Sequence, residues 1–553
     1  MTEISESPST KDRLSYREYR APRDNDQSVE FPPRHRWARL LESNRARLAT
    51  DASRWQSIRS KARTQMHQDA LRYTKSYRDV DERLSQYDAD QPIVAAGHQP
   101  TIFHPGVWFK NFALNDLAKA QSSLAINVVV DNDVASGASI RVPTIDPGSG
   151  RIRRANVFFD IAGGGIPYEE TAIVDFELFN SFDQRVGEHL RGLNSDSCVG
   201  ELWKHARSAY QRCSIVSCVM AQSRHALEGD WGLQTLELPL SVLARGESFA
   251  EFASWILSDI ERFSQIYNRW TLHYRRLHGI RSNAHPVPLL GERDGWREAP
   301  FWIYDSENTQ RRGVWIRRQG QEVLLADVPD DSSILMRLSG QDDLLSSGLV
   351  ERLGLASGRG GMTRLSGGET PRLKFRPRAL VTTMYLRWVL SDLFLHGIGG
   401  GKYDQLGDQI ANEFFNASAP EYAVLSATVA LNAAGDDAPE DELRSLHRRL
   451  RDVRYQPERF ADRIDLPKES VRRKLELIAD SHLSDRADWY REIDQANLKL
   501  SRSLEELRSK TLERITEVKR KMADQRNLVS REHPFCIFSR DRLQSSFESM
   551  LVN

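Results

Sequence analysis

The chain has 553 residues, 77 of them Lys or Arg and 77 Asp or Glu, so its formal charge is zero. That balance provides no global field toward nucleic acid or an acidic membrane surface. The length allows about two to four domains, and no run approaches the roughly 18 apolar residues that span a bilayer. Cys198, Cys213, Cys218 and Cys536 are too few and too scattered for a disulfide framework, and no metal-spaced histidines accompany them. The N-terminus is polar and lacks the apolar run of a signal peptide, so a cytoplasmic protein without a zinc site is expected.

In chain order, residues 1–30 read as a disordered polar tail. Residues 34–80 read as a helical hairpin or one long helix, with Trp37, Leu40, Leu41, Leu48, Trp55 and Ile58 as apolar markers. Residues 90–135 then read as a β-α-β unit. A short apolar strand ends at Gly97, followed by a loop carrying His98, Gln99 and His104. Pro105 and Gly106 open an amphipathic helix bearing Lys110. A helix starting in such a loop offers backbone amides and its positive dipole end to an anion. The alternative is a plain turn with ordinary loop histidines. A second strand, Ala125 to Val130, runs into Asp131-Asn132-Asp133. A right-handed parallel crossover puts both strand ends, and so Gly97-His98 and Asp131–Asp133, on one edge of the sheet.

Residues 140–175 suggest a β-rich insertion turning at Gly163–Gly165, and residues 180–280 are mainly helical. Short strands return over 285–330, where Glu298 is read as a solvated strand residue rather than a contact for a substrate amine. The segment 357–372 is basic and glycine-rich, either a lid near phosphates or a surface loop. Arg376-Pro377 leads into an apolar helix from Val381 to Leu395. His396 and the glycines Gly399, Gly400 and Gly401 follow, then Lys402 and a further helix from about Asp404. The glycine run matches neither a Walker A loop nor G-x-G-x-x-G, because Tyr403 and Lys402 occupy required positions. From about Asp436 the chain is charged and helical. Leu500, Leu504, Leu507, Thr511, Ile515, Val518 and Met522 form a coiled-coil seam or one stripe of a helical hairpin, which needs a covering helix from this chain or a second copy. The domain reading is therefore 31–435 as an α/β core with inserted segments over about 136–370, 436–530 as a helical domain, and 531–553 as a C-terminal segment.

These elements, in this order, resemble the bacillithiol-biosynthesis cysteine-adding enzyme family. The resemblance lies in Gly97-His98-Gln99 before a Lys-bearing helix and in the acidic cluster Asp131–Asp133. It continues through Arg376-Pro377, the apolar helix, Gly400-Gly401 with Asp404, and the helical C-terminal region. It implies a Rossmann-like core related to nucleotidylyl transferases, dimerisation through a coiled coil, and amide formation between cysteine and a sugar-linked amine. His98 stands where the family has Gln, Asn132 where its acidic cluster often has His, and His104 is an added histidine. Those departures fall in the presumed substrate pocket.

The chemistry expected from these residues is carboxylate activation by a nucleotide such as ATP with Mg²⁺. His98, His104 and Lys110 are the candidate catalytic groups. Gly97, Gln99, Gly106, Asp131, Asp133, Arg376, His396, Lys402 and Asp404 are candidates for substrate contact, and Gly399–Gly401 for the cofactor. Two other readings stay open: a nucleotidyl-transfer enzyme of the same broad fold, and a non-catalytic binding or scaffold protein.

Overall fold

The computed structural model describes residues 16–161, 163–281, 287–340, 342–353, 373–431, 438–479 and 486–552. The basic glycine-rich segment 357–372 lies outside them. The chain divides into two compact units. One comprises Met1–Val142, Asn156–Val429 and Arg531–Asn553, the other Pro143–Ala155 and Ala430–Ser530.

The first unit is built on a six-stranded sheet. Its strands are β1 (Gln27–Phe31), β2 (Ile93–His98), β3 (Leu124–Val129), β4 (Leu236–Pro239), β5 (Leu393–His396) and β6 (Ala423–Thr428), in the spatial order β1-β6-β5-β2-β3-β4. β2 to β6 are mutually parallel, and β1 is antiparallel on the β6 edge. Parallel strands covered on both faces read as continuous apolar runs, as IVAA, LAINVV and LFL do here. The chain order runs outward from β2 through β3 to β4, then restarts beside β2 with β5 and β6. The helices α1 (Pro105–Ala120) and α3 (Ile398–Phe415), separated in the chain by α2 (Ile260–Leu277) among others, thus belong to crossovers of opposite direction, which right-handedness places on opposite faces. Ile93, Ala95, Ile126, Val128 and Phe394 share one core with Trp55, Ile58, Leu406 and Ile410 on the α3 face.

Of the two alternatives for residues 34–80 the hairpin forms, as the helices Trp37–Ala49 and Ser53–Lys75. Other expectations change. The described part of the N-terminal tail is ordered: Tyr19 is buried and β1 pairs with β6. The apolar run read as helix to Leu395 leaves the helical state at Leu390 and ends as β5, since a short buried strand and a buried helix look alike in periodicity. The insertion hairpin, Ser139–Ile145 with Ile152–Phe158, turns well before Gly163. β4 was hidden inside the helical stretch because Glu237 interrupts its apolar pattern. A second, antiparallel sheet is formed by Ile334–Ser339, Glu322–Ala326, Arg312–Gln319, Trp296–Tyr304 and Lys374–Pro377.

In the other unit, the stripe on Glu505–Leu528 packs against Ala438–Tyr455 of the same chain. Ile515 and Val518 meet Leu446, and Leu500 and Leu504 meet Val453 and Leu466. Arg514 Nε reaches Glu442 Oε1 at 2.6 Å. The seam is covered within the chain, as a helical hairpin.

Candidate functional site

Ligands of open parallel sheets bind outside the C-terminal strand ends, where the strand order reverses. Here the reversal lies between β2 and β5, which end at His98 and His396. β3 runs beside β2 with His98 opposite Val129, so His98-Gln99 and Asp131–Asp133 share the edge the sequence assigned them.

The first loop is more closed than its composition suggests. His104 is the N-cap of α1, its Nδ1 accepting from Gly106 N at 3.1 Å, while Val107 and Trp108 amides go to its carbonyl. A Cβ on Gly106 would lie 2.0 Å from Ala427 O, so the first turn of α1 abuts the backbone of β6. The anion site expected at this helix start is therefore filled by the protein itself. Lys110 Nζ donates to Gly97 O at 2.5 Å, and burial, with Arg224 nearby, pushes its pKa down to about 7. His98 is buried between Phe103 and Asn111, and burial holds it well below the usual histidine range, hence neutral. Gln99 Nε2 donates to Asp133, an exposed pair at the loop tip.

The β3 loop organises the neighbouring polar groups. Asp131 accepts from Ser241 N at 2.9 Å and from Ser241 Oγ at 2.5 Å, yet burial beside Glu169 raises its pKa to about 7. Amides of Tyr168 and Glu169 donate to the carbonyls of Asp133 and Asp131, both at 2.9 Å, which brings Glu169 to this edge. Glu169 takes Arg376 in a bidentate pair, Nε at 2.8 Å and NH2 at 2.9 Å, and also accepts from Tyr304. The carboxylate clamp expected of Arg376 thus closes on an internal carboxylate. Asp133 also meets Arg311 at 3.2 Å, and the guanidinium groups of Arg311 and Arg378 lie 4.8 Å and 3.9 Å from the Trp302 ring centroid. Glu298, read from sequence as solvated, pairs with Arg378 at 2.5 Å. Arg245, on the turn after β4, is exposed near Arg376, Glu169 and Asp131 and makes no ion pair among the described residues.

At β5 the glycine run is not a loop but the first turn of α3, whose N-cap is Gly397. His396 Nε2 lies 2.7 Å from Asp404 Oδ2, and Arg387 NH1 lies 2.8 Å from the same oxygen. Burial works to raise the Asp404 carboxyl, but His396 and Arg387 outweigh it and hold it at about 2. Asp404 is therefore a buried anchor. A Cβ on Gly400 would meet His396 Nδ1 at 2.7 Å and one on Gly401 would meet Val424 Cγ2 at 2.3 Å, whereas one on Gly399 would meet nothing within 4 Å. Packing accounts for two of the three glycines. Among the described residues, no group accepts from the amides of Ile398, Gly399 and Gly400. Lys402 lies on the next turn and lines a surface cavity.

The structure thus gathers His98, Gln99, Asp131, Asp133, His396 and the start of α3 at one edge, and assigns His104, Lys110, Arg376 and Asp404 to internal contacts. Sequence reasoning missed Ser241, Glu169, Arg245 and Arg311. They come from distant segments without a motif, and only the acidic pair Glu169-Glu170 after a turn offered a signal. Among the described residues no cluster of three or more His, Cys, Asp or Glu could hold a metal ion, and no helix is long and apolar enough to cross a membrane. The class these features define is a mixed α/β protein with a parallel-sheet core. No protein-family model matches the chain, and no curated protein matches it.

Proposed function

We propose that this chain is an enzyme of small-molecule metabolism that forms an amide between an amino acid, cysteine or one like it, and an amine acceptor. The core is read as Rossmann-like and related to nucleotidylyl transferases, in keeping with the family resemblance. The observation that carries a ligand at the strand-order reversal is the start of α3. Three consecutive amides there lack acceptors among the described residues, and Gly399 leaves them uncovered without any packing need for a glycine. Amides and a helix dipole at such a point favour a phosphate or carboxylate.

Amide formation from a carboxylate and an amine needs the carboxylate oxygen converted to a leaving group, which a nucleoside triphosphate would supply. The α3 amides would receive phosphate oxygens. Mg²⁺ is commonly held by one or two carboxylates plus substrate phosphates, and Asp133, whose side chain is 39% exposed, would supply one by giving up Gln99 and Arg311. Arg245 would take the amino acid carboxylate. The same edge would serve nucleotidyl transfer, which differs by releasing pyrophosphate and retaining the nucleotidyl group on the product. Exposed Leu475, Ile478, Tyr490 and Leu498 on the helical unit give a second copy apolar surface to bury, so a homodimer belongs to this reading.

The test is a thermal-shift screen against nucleotides with and without Mg²⁺, together with cysteine, other amino acids and sugar-malate conjugates. A ligand at a hundredfold its dissociation constant adds about 2.7 kcal/mol. A shift with a nucleotide and an amino acid, lost in Gly399→Ala, supports the ligase. No shift with any nucleotide sinks nucleotide-driven amide formation and favours the scaffold reading.

A further inference from the structure

We propose that the chain carries a second small-molecule site, a surface cavity of about 360 Å³ that takes an organic anion with an aromatic body. This does not depend on the reaction proposed above. The cavity lies where the segment from Tyr16 to Glu18 crosses the second turn of α3 and the end of the helix Ile260–Leu277. Its volume falls at the lower end of ligand pockets, room for a molecule of one or two rings.

Charge selects the sign of the ligand. Both carboxylate oxygens of Glu18 accept from Arg20 at 3.0 Å, so that anion is already matched. Gln405 is occupied at both ends, accepting from Arg17 N at 2.6 Å and donating to Arg17 O at 3.0 Å. Those two bonds fix the segment that forms the cavity wall. Lys402 makes no ion pair among the described residues, and Arg17, whose guanidinium lies 5.9 Å from the Phe31 ring centroid, has no carboxylate partner among them, so the lining carries two cations against the one carboxylate of Glu18. A cationic guest is thereby repelled, although aromatic rings alone would attract one.

The walls select the body. Leu277 is 53% exposed, an apolar surface without cover. The rings of Tyr16 and His278 stand 5.5 Å apart, edge to face, with Tyr274 packed at 5.2 Å and 4.5 Å from them. Edge-to-face arrays of this kind accept a further ring. The Tyr16 hydroxyl is buried and has no partner among the described residues, and burial pushes its pKa up to about 12, so it stays a proton donor. That hydroxyl is closed to solvent, so Tyr16 presents its ring to a guest and not its donor.

Calorimetric titration of the full chain with 1-naphthyl phosphate tests this, with inorganic phosphate and 1-naphthol as controls. The aryl phosphate is expected to bind at least about tenfold more tightly than either control. Lys402→Met should weaken it by about tenfold, while Leu277→Trp, at an exposed position, should fill the cavity and abolish binding with the melting temperature unchanged. Equal affinity for the aryl phosphate and 1-naphthol overturns the proposal. So does binding kept in Leu277→Trp but lost in Gly399→Ala, which would put the anion at the sheet edge instead.

Discussion

His396 Nε2 lies 2.7 Å from Asp404 Oδ2, so the last residue of β5 is tied to the second turn of the helix that follows it. Thr383 Oγ1 donates to the other Asp404 oxygen at 2.5 Å, and Arg387 joins from the side. Strand end, helix start and the preceding helix are thereby locked around one buried carboxylate. The open amides of Ile398 to Gly400 hang from this lock, which holds donors at the sheet edge in a preset direction. Preset donors need no reorganisation when charge arrives, and this is their advantage over solvent.

The glycine run separates folding from binding. Gly400→Ala and Gly401→Ala force a Cβ into His396 and Val424, and each should cost about 1–3 kcal/mol in urea denaturation. Gly399→Ala meets nothing and should be neutral or stabilising by up to about 1 kcal/mol, yet it should weaken nucleotide binding. Equal destabilisation of all three would show that Gly399 is also a packing residue.

Two arginines near the β3 loop should behave oppositely. Glu169→Gln leaves the buried Arg376 guanidinium without its counter-charge and should cost about 3–5 kcal/mol of stability. Arg245→Ala should leave the urea midpoint within about 0.5 kcal/mol of the parent, as surface changes do, while raising the dissociation constant for the amino acid substrate. Unchanged affinity in Arg245→Ala would remove it from the site.

His104 should act through the backbone. Replacing an N-cap acceptor with Ala costs about 1 kcal/mol, whereas Asn at the same position can accept from Gly106 N and should restore most of that. Urea midpoints of His104→Ala and His104→Asn decide this. A His104→Asn variant with parent stability but no turnover would return His104 to the catalytic list.

The sequence made the β2-α1-β3 unit and the shared edge legible because apolar strands ending in polar loops carry their own punctuation. The strand β5 was not legible: only Ser391 and Asp392 separate its LFLH from the apolar helix, too short a polar break to mark a change of element. Nor was β4, where Glu237 sits inside the strand and is paired only in three dimensions, with Arg224. The candidate residues were chosen by type, and type does not reveal the partner. Lys110, Arg376 and Asp404 look like ligand groups until Gly97, Glu169 and His396 are found against them. Gly399 differs from its neighbours only through what is absent around it, which no spacing in the sequence displays.

Lys110 gives the clearest pH test. Its pKa falls from 10.5 to about 7 on folding, through burial and then through Arg224. Between those values the folded lysine is neutral while the unfolded one is charged, so the unfolded state binds more protons and stability rises with pH. This contribution is fully present above 10.5 and is lost as pH falls through about 7. Asp131 and Glu237 are raised to about 7 from 3.8 and 4.5, so their contribution runs the other way, falling as pH rises toward 7. Their effect cancels when the parent is compared with Lys110→Met. Urea midpoints measured from about pH 6 to about pH 10 should therefore show the parent gaining on Lys110→Met above pH 7, with a flat difference below. A difference that stays flat throughout would mean that Lys110 is charged in the folded protein and that Gly97 O is not its sole polar contact.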